Sequence, residues 1–265
     1  MSSAANYLVA LDDGHGLTDD KGNFNPTPGK RTPNIPGVGV IYENEFNRKV
    51  VQYLDEALKR CGFRTVLTAP GDYDHSLASR CKRANDANAD IFISCHYNHS
   101  GQSHPGNPGA QGVETYYYPE ARSKKLAETV HKYVRTGTQQ VDRGVKEWGE
   151  LYVLRNTKMP AILIEFGFMD DEKWGYREAK LMRDEGFQRE SAEQTAMGVC
   201  EYFGVKYVPP SNQQQPQPVY TYQILKKVDG EWKEEVWTAY RSIQMKTVEK
   251  LLDEGEEEIL IKRVK

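Results

Sequence analysis

The chain has 265 residues, of which 28% are charged, and its formal net charge is −3. This length accommodates one sizeable domain and a smaller one. A charge this close to neutral excludes a strong overall electrostatic field of the kind that attracts nucleic acids or anionic membranes. No stretch approaches the roughly 20 apolar residues of a membrane helix. We therefore expect no nucleic-acid partner and no membrane insertion.

The cysteines and the first residues indicate the compartment. Four cysteines are spread along the chain without a C-x-x-C pair, which is typical of reduced, buried thiols. The opening MSSAANYLVAL lacks the basic start and long apolar core of a secretory signal peptide. We therefore expect a protein that is made and held in the cytoplasm.

The first predicted element is a buried strand, Leu8–Leu11, which breaks into the sequence Asp-Asp-Gly-His-Gly. Its glycines favour a tight turn that presents His15 at the tip. Residues 18–40 are rich in Gly, Pro, Asn and Asp and show no apolar period, so we expect a long loop of the kind that is usually functional. The segment Tyr42–Arg60 carries apolar residues at helical spacing and predicts an amphipathic helix.

Strands and helices then alternate as far as residue 203. Apolar runs predict strands at Phe63–Thr68, Ile91–Cys95, Val113–Tyr118 and Ala161–Phe166, with a short extended piece at Leu151–Arg155. Helical spacing predicts helices at Ser76–Ala89, Ala121–Arg135 and Ser191–Phe203. This alternation predicts an α/β fold in which helices flank a mainly parallel sheet.

The C-terminal part differs from the rest of the chain in composition. Residues 209–219 are rich in Pro and Gln and predict a linker between domain 1–208 and a small α+β domain at 220–265. In that domain we expect strands at Tyr220–Val228, Glu231–Trp237 and Ile259–Val264, and a helix at Ser242–Glu254. A core this small rarely supplies more than about 3–5 kcal/mol, so we expect it to pair with another copy or to lean on a partner.

Three polar residues lie at the carboxyl ends of predicted buried strands: His15, His96 and Glu165. Sites form at that edge of open α/β sheets. A further carboxylate, Glu43, lies in the first turn of the helix after the long loop. Two imidazoles and one carboxylate make a three-ligand zinc site with one position open for water, and a second carboxylate can transfer protons. The residues alone leave open which carboxylate takes which role.

Other interpretations compete with this one. Glu43 also suits the start of a helix as a simple charge, whereas Glu165 interrupts an apolar run and must be paired or bound. His99 and His104 are rival ligands, and we interpret His75 and His131 as surface or loop residues.

Two further classes of site are weaker. Gly14 and Gly16 resemble the start of a phosphate-binding loop, but Asp19 occupies the position of its third glycine. Cys95 is a nucleophile candidate, but its neighbour His96 points to the opposite side of a strand.

Five stretches together resemble the zinc-dependent N-acetylmuramoyl-L-alanine amidases of the Amidase_3 family. They are Ala10–Gly16, Tyr42–Leu54, Arg80–Asn98, Gly112–Tyr117 and Leu151–Met169. The resemblance covers nearly all of residues 5–205. It implies a phosphorylase/hydrolase-like three-layer domain that cleaves the amide between the lactyl group of N-acetylmuramic acid and L-alanine in peptidoglycan.

The same resemblance assigns roles to residues. It implies that His15, Glu43 and His96 bind one Zn²⁺ and that Glu165 is the catalytic general acid/base. The family's motif glutamate precedes the apolar helix positions at the spacing of Glu43, which favours Glu43 over Glu45.

Three further positions match motif residues in supporting roles. We expect Asp12 to orient the site, and Asn98 and Arg155 to support it or to bind substrate.

An amidase domain followed by a linker and a small domain, without a signal peptide, resembles a phage endolysin. We therefore expect host lysis, with storage in the host cytoplasm until release to the wall and a C-terminal domain that binds the cell wall or oligomerises. Three alternatives stay open: a host autolysin, an amidase of mother-cell lysis during sporulation, and an inactive wall-binding protein.

Overall fold

The structure is a computed structural model that describes residues 3–101, 110–138, 140–210, 221–228, 231–238 and 259–264. The first sheet contains β1 (Leu8–Asp12), β2 (Arg64–Leu67), β3 (Ile91–Asn98), β4 (Val113–Tyr117), β5 (Asp142–Glu147) and β6 (Ala161–Phe168). The helices are α1 (Glu43–Arg60), α2 (Leu77–Asp86), α3 (Ala121–Gly137), α4 (Tyr152–Arg155), α5 (Arg177–Leu181) and α6 (Glu185–Phe203).

The sheet has the strand order β2-β1-β3-β6-β4-β5. Neighbouring strands run parallel except for β4 and β6, which are antiparallel. The prediction of a mainly parallel α/β sheet flanked by helices is confirmed. Because β1, β3 and β6 lie side by side, their carboxyl ends share one edge of the sheet.

Two apolar layers cover the two faces of this sheet. On one face, Leu11, Ile93 and Ile164 pack against helices α1, α3 and α6. On the other face, Phe92 and Leu163 pack against the short helices α2 and α4. Side chains alternate between the faces of a strand, so His96 and Glu165 belong to the second, thinner side.

The structure differs from the sequence-based expectations at three places in this region. Leu151–Arg155, expected to be extended, contains helix α4, whose four residues are too few to display a helical period. Strand β5 was missed because DRGVKE has no apolar alternation; among the described strands it lies at the edge of the sheet and pairs with β4. His131, expected at the surface, is buried and contacts Thr115 Oγ1 and Asp142 Oδ1, both at 2.9 Å.

The C-terminal strands β7 (Thr221–Val228), β8 (Glu231–Thr238) and β9 (Ile259–Val264) form an antiparallel sheet in the order β8-β7-β9. They confirm the three predicted strands. The helix expected at Ser242–Glu254 and most of the linker lie outside the described residues, so the domain division stays a prediction.

Two predictions about the whole chain can be compared with the described part. All four cysteines are buried free thiols, as expected. Within the described ranges, no helix combines the length and the apolar character needed to cross a bilayer.

Candidate active site

The turn after β1 holds His15 in an uncommon backbone conformation. Gly14 has φ +55° and His15 has φ +26°, a region that residues with a side chain rarely adopt. Asn44, in the first turn of α1, donates its side-chain N–H to the carbonyl oxygens of His15 (2.9 Å) and Gly14 (3.3 Å). The start of α1 therefore fixes the turn that presents His15.

Glu43 is the first residue of α1, and its two carboxylate oxygens contact different groups. Oε1 accepts hydrogen bonds from the backbone N–H of Tyr97 and the side chain of Asn47, both at 3.2 Å, and lies 2.8 Å from His96 Nδ1. Oε2 lies 3.3 Å from His15 Nε2. Glu43 thus joins the two histidines, which come from different strand ends.

One donor atom from each of His15, Glu43 and His96 lies within 4.8 Å of the others. The Nε2 atom of His15 is buried and has no hydrogen-bond partner among the described residues. Its 3.3 Å separation from Glu43 Oε2 is close to the ~3.3 Å between two ligands of one tetrahedral zinc ion. A buried nitrogen without a hydrogen bond, at this distance from a carboxylate oxygen, indicates that the group accommodates a metal ion.

The protonation states agree with metal binding. Burial raises the pKa of Glu43, but the adjacent His15 and His96 outweigh burial and hold the pKa well below its ordinary range. Burial lowers the pKa of His96. An ionised carboxylate and a neutral imidazole are the forms that ligate metals.

Glu165 lies beside this group. It is the register partner of His96 on the neighbouring strand, between the buried Ile164 and Phe166. Its Oε2 atom is buried without a hydrogen-bond partner in the described part of the chain. Burial and the charge of Glu43 raise the pKa of Glu165 well above its ordinary value. A half-buried carboxyl group of this kind suits proton transfer.

Glu45, the rival of Glu43, points elsewhere. Its Oε1 accepts a hydrogen bond from the backbone N–H of Tyr42 at 3.0 Å, which caps α1, and its Oε2 forms a 3.0 Å ion pair with Arg183. The structure therefore brings Glu43, and not Glu45, to the two histidines.

Asp12 is fully buried near the end of β1. It accepts hydrogen bonds from the hydroxyls of Thr68 and Ser94, both at 2.7 Å, and lies 3.5 Å from Arg80 of α2. These contacts tie together β1, β3, α2 and the end of β2. Asp12 therefore fixes the strand ends from which His15 and His96 follow.

The other two supporting candidates have different surroundings. Asn98 follows His96 by two residues and donates a 2.8 Å hydrogen bond to Glu114, the register partner of Glu165. Arg155 is exposed at the end of α4 and forms a 3.1 Å ion pair with Glu150. Its role in substrate binding stays a prediction.

The remaining candidates have contacts of their own. His99 Nδ1 lies 3.3 Å from Asp170, and His75 Nε2 lies 3.1 Å from the carbonyl oxygen of Pro70. His104 lies outside the described residues. Cys95 is buried on the face covered by α1, opposite His96, and burial raises the pKa of its thiol.

Sequence reasoning missed Asn44 and Asn47, which are buried beside Glu43 and hold the turn and the carboxylate. Their signal was present: two amides follow the motif glutamate by one and four residues, where they share one side of the first helical turn.

Replacing Gly14 with alanine is expected to lower divalent-metal affinity by about 10–100-fold, the usual effect of disturbing groups that orient metal ligands. A Cβ at Gly14 would lie 2.2 Å from Cε1 of His96. Metal titration of the purified variant measures the change. Gly71→Ala is the matched control, because Gly71 also has positive φ (+89°) and an added Cβ meets no described atom within 4 Å. Equal losses in both variants would contradict the explanation.

A three-layer α/β domain with two histidines and two carboxylates at the carboxyl edge of its sheet is typical of metallohydrolases. A family model described as N-acetylmuramoyl-L-alanine amidase, Amidase_3, matches residues 9–201. The chain therefore belongs to this amidase family. Its membership also identifies it as an enzyme of that class.

Individual relatives and a solved structure are similar to this chain in sequence or fold. The endolysin of Bacillus phage SPP1 is 31% identical over 212 residues, which cover 75% of this chain and 67% of the endolysin. N-acetylmuramoyl-L-alanine amidase LytC of Bacillus subtilis is 30% identical over 183 residues, 68% of this chain and 35% of LytC. The catalytic domain of CwlV, an N-acetylmuramoyl-L-alanine amidase from Bacillus (Paenibacillus) polymyxa, matches with a TM-score of 0.61 at 31% identity, covering 76% of this chain and 99% of that domain.

Proposed function

We propose that the chain hydrolyses the amide bond between the lactyl group of N-acetylmuramic acid and L-alanine in peptidoglycan. The observation that carries this proposal is the convergence of His15, Glu43 and His96 within 4.8 Å, beside Glu165, in a domain of the amidase family. This set of groups suits hydrolysis of an unactivated amide, which needs a polarised carbonyl, an activated water and a proton donor for the leaving nitrogen.

In this proposal His15, Glu43 and His96 hold one Zn²⁺. A zinc ion bound by them supplies a Lewis acid for the amide carbonyl and lowers the pKa of a bound water to about 7. Tyr97 and Asn47 hold the Glu43 carboxylate in place through Oε1. The chain thus preorganises the ligands before substrate arrives.

Glu165 then acts as the general acid/base. Its carboxylate takes the proton of the attacking water and returns it to the nitrogen of L-alanine as the amide bond breaks. The unpartnered Oε2 is the atom available for this transfer. Asp12 acts as a positioning residue through the strand ends, and we assign Asn98 a supporting contact and Arg155 a contact with substrate.

We further propose that the enzyme serves host lysis by a phage, with storage in the host cytoplasm and a C-terminal domain that binds the wall or joins two copies. Similarity to a phage endolysin supports this role. Similarity to two amidases of Bacillus subtilis, LytC and the sporulation-specific N-acetylmuramoyl-L-alanine amidase, supports the alternative of a bacterial autolysin or sporulation amidase. A gene for a pore-forming holin beside this one favours lysis, whereas a sporulation operon favours the alternative.

Purified protein incubated with peptidoglycan is expected to release new L-alanine amino termini without new reducing sugar ends. Labelling of amino termini and a reducing-sugar assay on the same digest measure both products. Chelation should abolish the release, and added zinc should restore it. New reducing ends would identify a glycosidase and overturn the proposal. Binding to the wall without any release would favour the inactive wall-binding protein.

A further inference from the structure

Glu114 belongs to a row of three polar residues that crosses three neighbouring strands. His96 on β3 pairs with Glu165 on β6, and Glu165 pairs with Glu114 on β4. Residues paired across neighbouring strands place their side chains on the same face of a sheet. Glu114 therefore projects from the face that carries the site, one strand beyond Glu165.

Glu114 is 2% exposed and is surrounded by hydrogen-bond donors. Its partners are Asn98 Nδ2 at 2.8 Å, Arg143 Nε at 2.7 Å, the ammonium of Lys146 and the hydroxyl of Tyr116. Burial raises the pKa of Glu114, but these hydrogen bonds outweigh burial and hold the pKa below its ordinary value. One ionised carboxylate is thus shared by two cations, which leaves a positive charge in excess.

Both cations are held in place yet remain open to solvent. The side chain of Arg143 is 34% exposed and that of Lys146 is 37% exposed. The guanidinium carbon of Arg143 lies 4.9 Å from the ring centre of Phe168, and Lys146 Nζ lies 5.9 Å from that of Tyr116. Aromatic contacts and the shared carboxylate restrict both side chains. Little side-chain entropy is then lost when an anion binds to them.

We propose that Arg143 and Lys146 bind a carboxylate of the peptide part of the substrate and determine specificity for it. This inference rests on the proposed function. In a muramoyl peptide, the carboxyl group of muramic acid forms the scissile amide, so the sugar carries no charge there. The anionic groups of the substrate are the carboxylates of the peptide, and a charge-assisted hydrogen bond to a cation is the interaction that selects them.

Strand spacing indicates which part of the peptide reaches the two cations. Strand β5, which carries both, lies two strands from β6, and their charged ends contact Glu114, one strand from β6. At roughly 4.8 Å a step, the cations therefore lie about 5–10 Å from Glu165. An extended peptide advances about 3.3–3.6 Å per residue. With the scissile amide at Glu165, the second or third residue of the peptide lies at this distance. The ligand is therefore a carboxylate on one of those two residues.

The test uses four muramoyl tripeptides with an amidated C-terminus. Their second and third residues carry a side carboxylate or the matching carboxamide, in all four combinations. For the unaltered enzyme, amidation of the recognised residue is expected to lower kcat/KM by roughly 10–100-fold, because one hydrogen bond to a charged group is lost. The change should appear as a higher KM. The single amides distinguish the second residue from the third.

Arg143→Gln and Lys146→Gln, each of which leaves Glu114 one cation, are expected to lose this preference. Their KM for the carboxylate substrate should rise towards that of the amidated one, with kcat on the fully amidated substrate unchanged. Lys158→Gln is the matched control: Lys158 is exposed, precedes the amino end of β6 and forms no contact with Glu114, so its loss should leave the preference intact.

Equal kcat/KM of the unaltered enzyme on all four substrates would overturn the inference. So would variants that lose activity on amidated and carboxylate substrates alike, since this indicates a purely structural role. If the unaltered enzyme hydrolyses none of the four, the proposed function fails instead. Calorimetric binding of the same tripeptides then tests the subsite, and carboxylate binding that Lys146→Gln does not weaken would refute it.

Discussion

Glu165→Gln is expected to lower amide hydrolysis by about 10²–10⁴-fold, the usual contribution of a general acid/base. Glutamine preserves the shape of the side chain but can neither take the proton of water nor return it to the leaving nitrogen. Folding should not suffer, because Glu165 Oε2 has no hydrogen-bond partner among the described residues. The substitution also avoids the cost of an ionised carboxylate in this largely buried position. Release of alanine amino termini and the melting temperature measure the two effects.

Metal content and a control variant separate catalysis from structure. Glu165→Gln should retain bound metal, since the donor atoms that lie within 4.8 Å belong to other residues. Glu190→Gln is the matched control: burial also raises the pKa of Glu190, but this residue lies on α6, on the other side of the sheet. It should keep full activity. A Glu165→Gln enzyme with more than a tenth of normal activity would remove Glu165 from the catalytic role.

The sequence predicts the fold and the site well where a local pattern, such as an apolar run, determines the structure by itself. Apolar runs predict β1, β3 and β6, and a parallel arrangement predicts that His15, His96 and Glu165 lie near one another, as they do in the structure. Glu165 was the clearest candidate in the sequence, because a carboxylate within a buried apolar strand is costly unless it is paired or bound.

The sequence predicts less where contacts between distant parts of the chain determine the structure. Strand β5 has a polar sequence and exists because β4 offers it a hydrogen-bonding edge. Helical periodicity does not separate Glu43 from Glu45, two residues apart in one helical turn, and only the spacing of the family's motif favoured Glu43. Their environments differ only in the fold, where one faces the histidines and the other faces Arg183. Glu114 likewise can be recognised as part of the site only from the pairing of β4 with β6.

The different surroundings of Glu43 and Glu45 predict different effects of the same substitution. Glu43→Gln is expected to lower zinc affinity by more than about 100-fold, beyond the 10–100-fold typical of residues that merely orient ligands. An amide replaces the anionic oxygen that faces His15 Nε2 at 3.3 Å. Amidase activity without added zinc should fall to background. Zinc titration and metal content after dialysis measure the change.

Glu45→Gln makes the same chemical change two residues away and serves as the control. Glutamine can still accept the hydrogen bond from Tyr42 that caps α1. What it loses is the ion pair with the half-exposed Arg183, worth at most about 1 kcal/mol of stability.

Thermal unfolding gives a readout independent of turnover. A zinc concentration 100 times the dissociation constant stabilises a folded protein by about 2.7 kcal/mol. Added zinc should therefore raise the melting temperature of the unaltered enzyme and of Glu45→Gln, and leave that of Glu43→Gln unchanged. If zinc stabilises Glu43→Gln as well and Glu45→Gln loses the response, the ligand is Glu45, and the N-terminal turn of α1 must rearrange when metal binds.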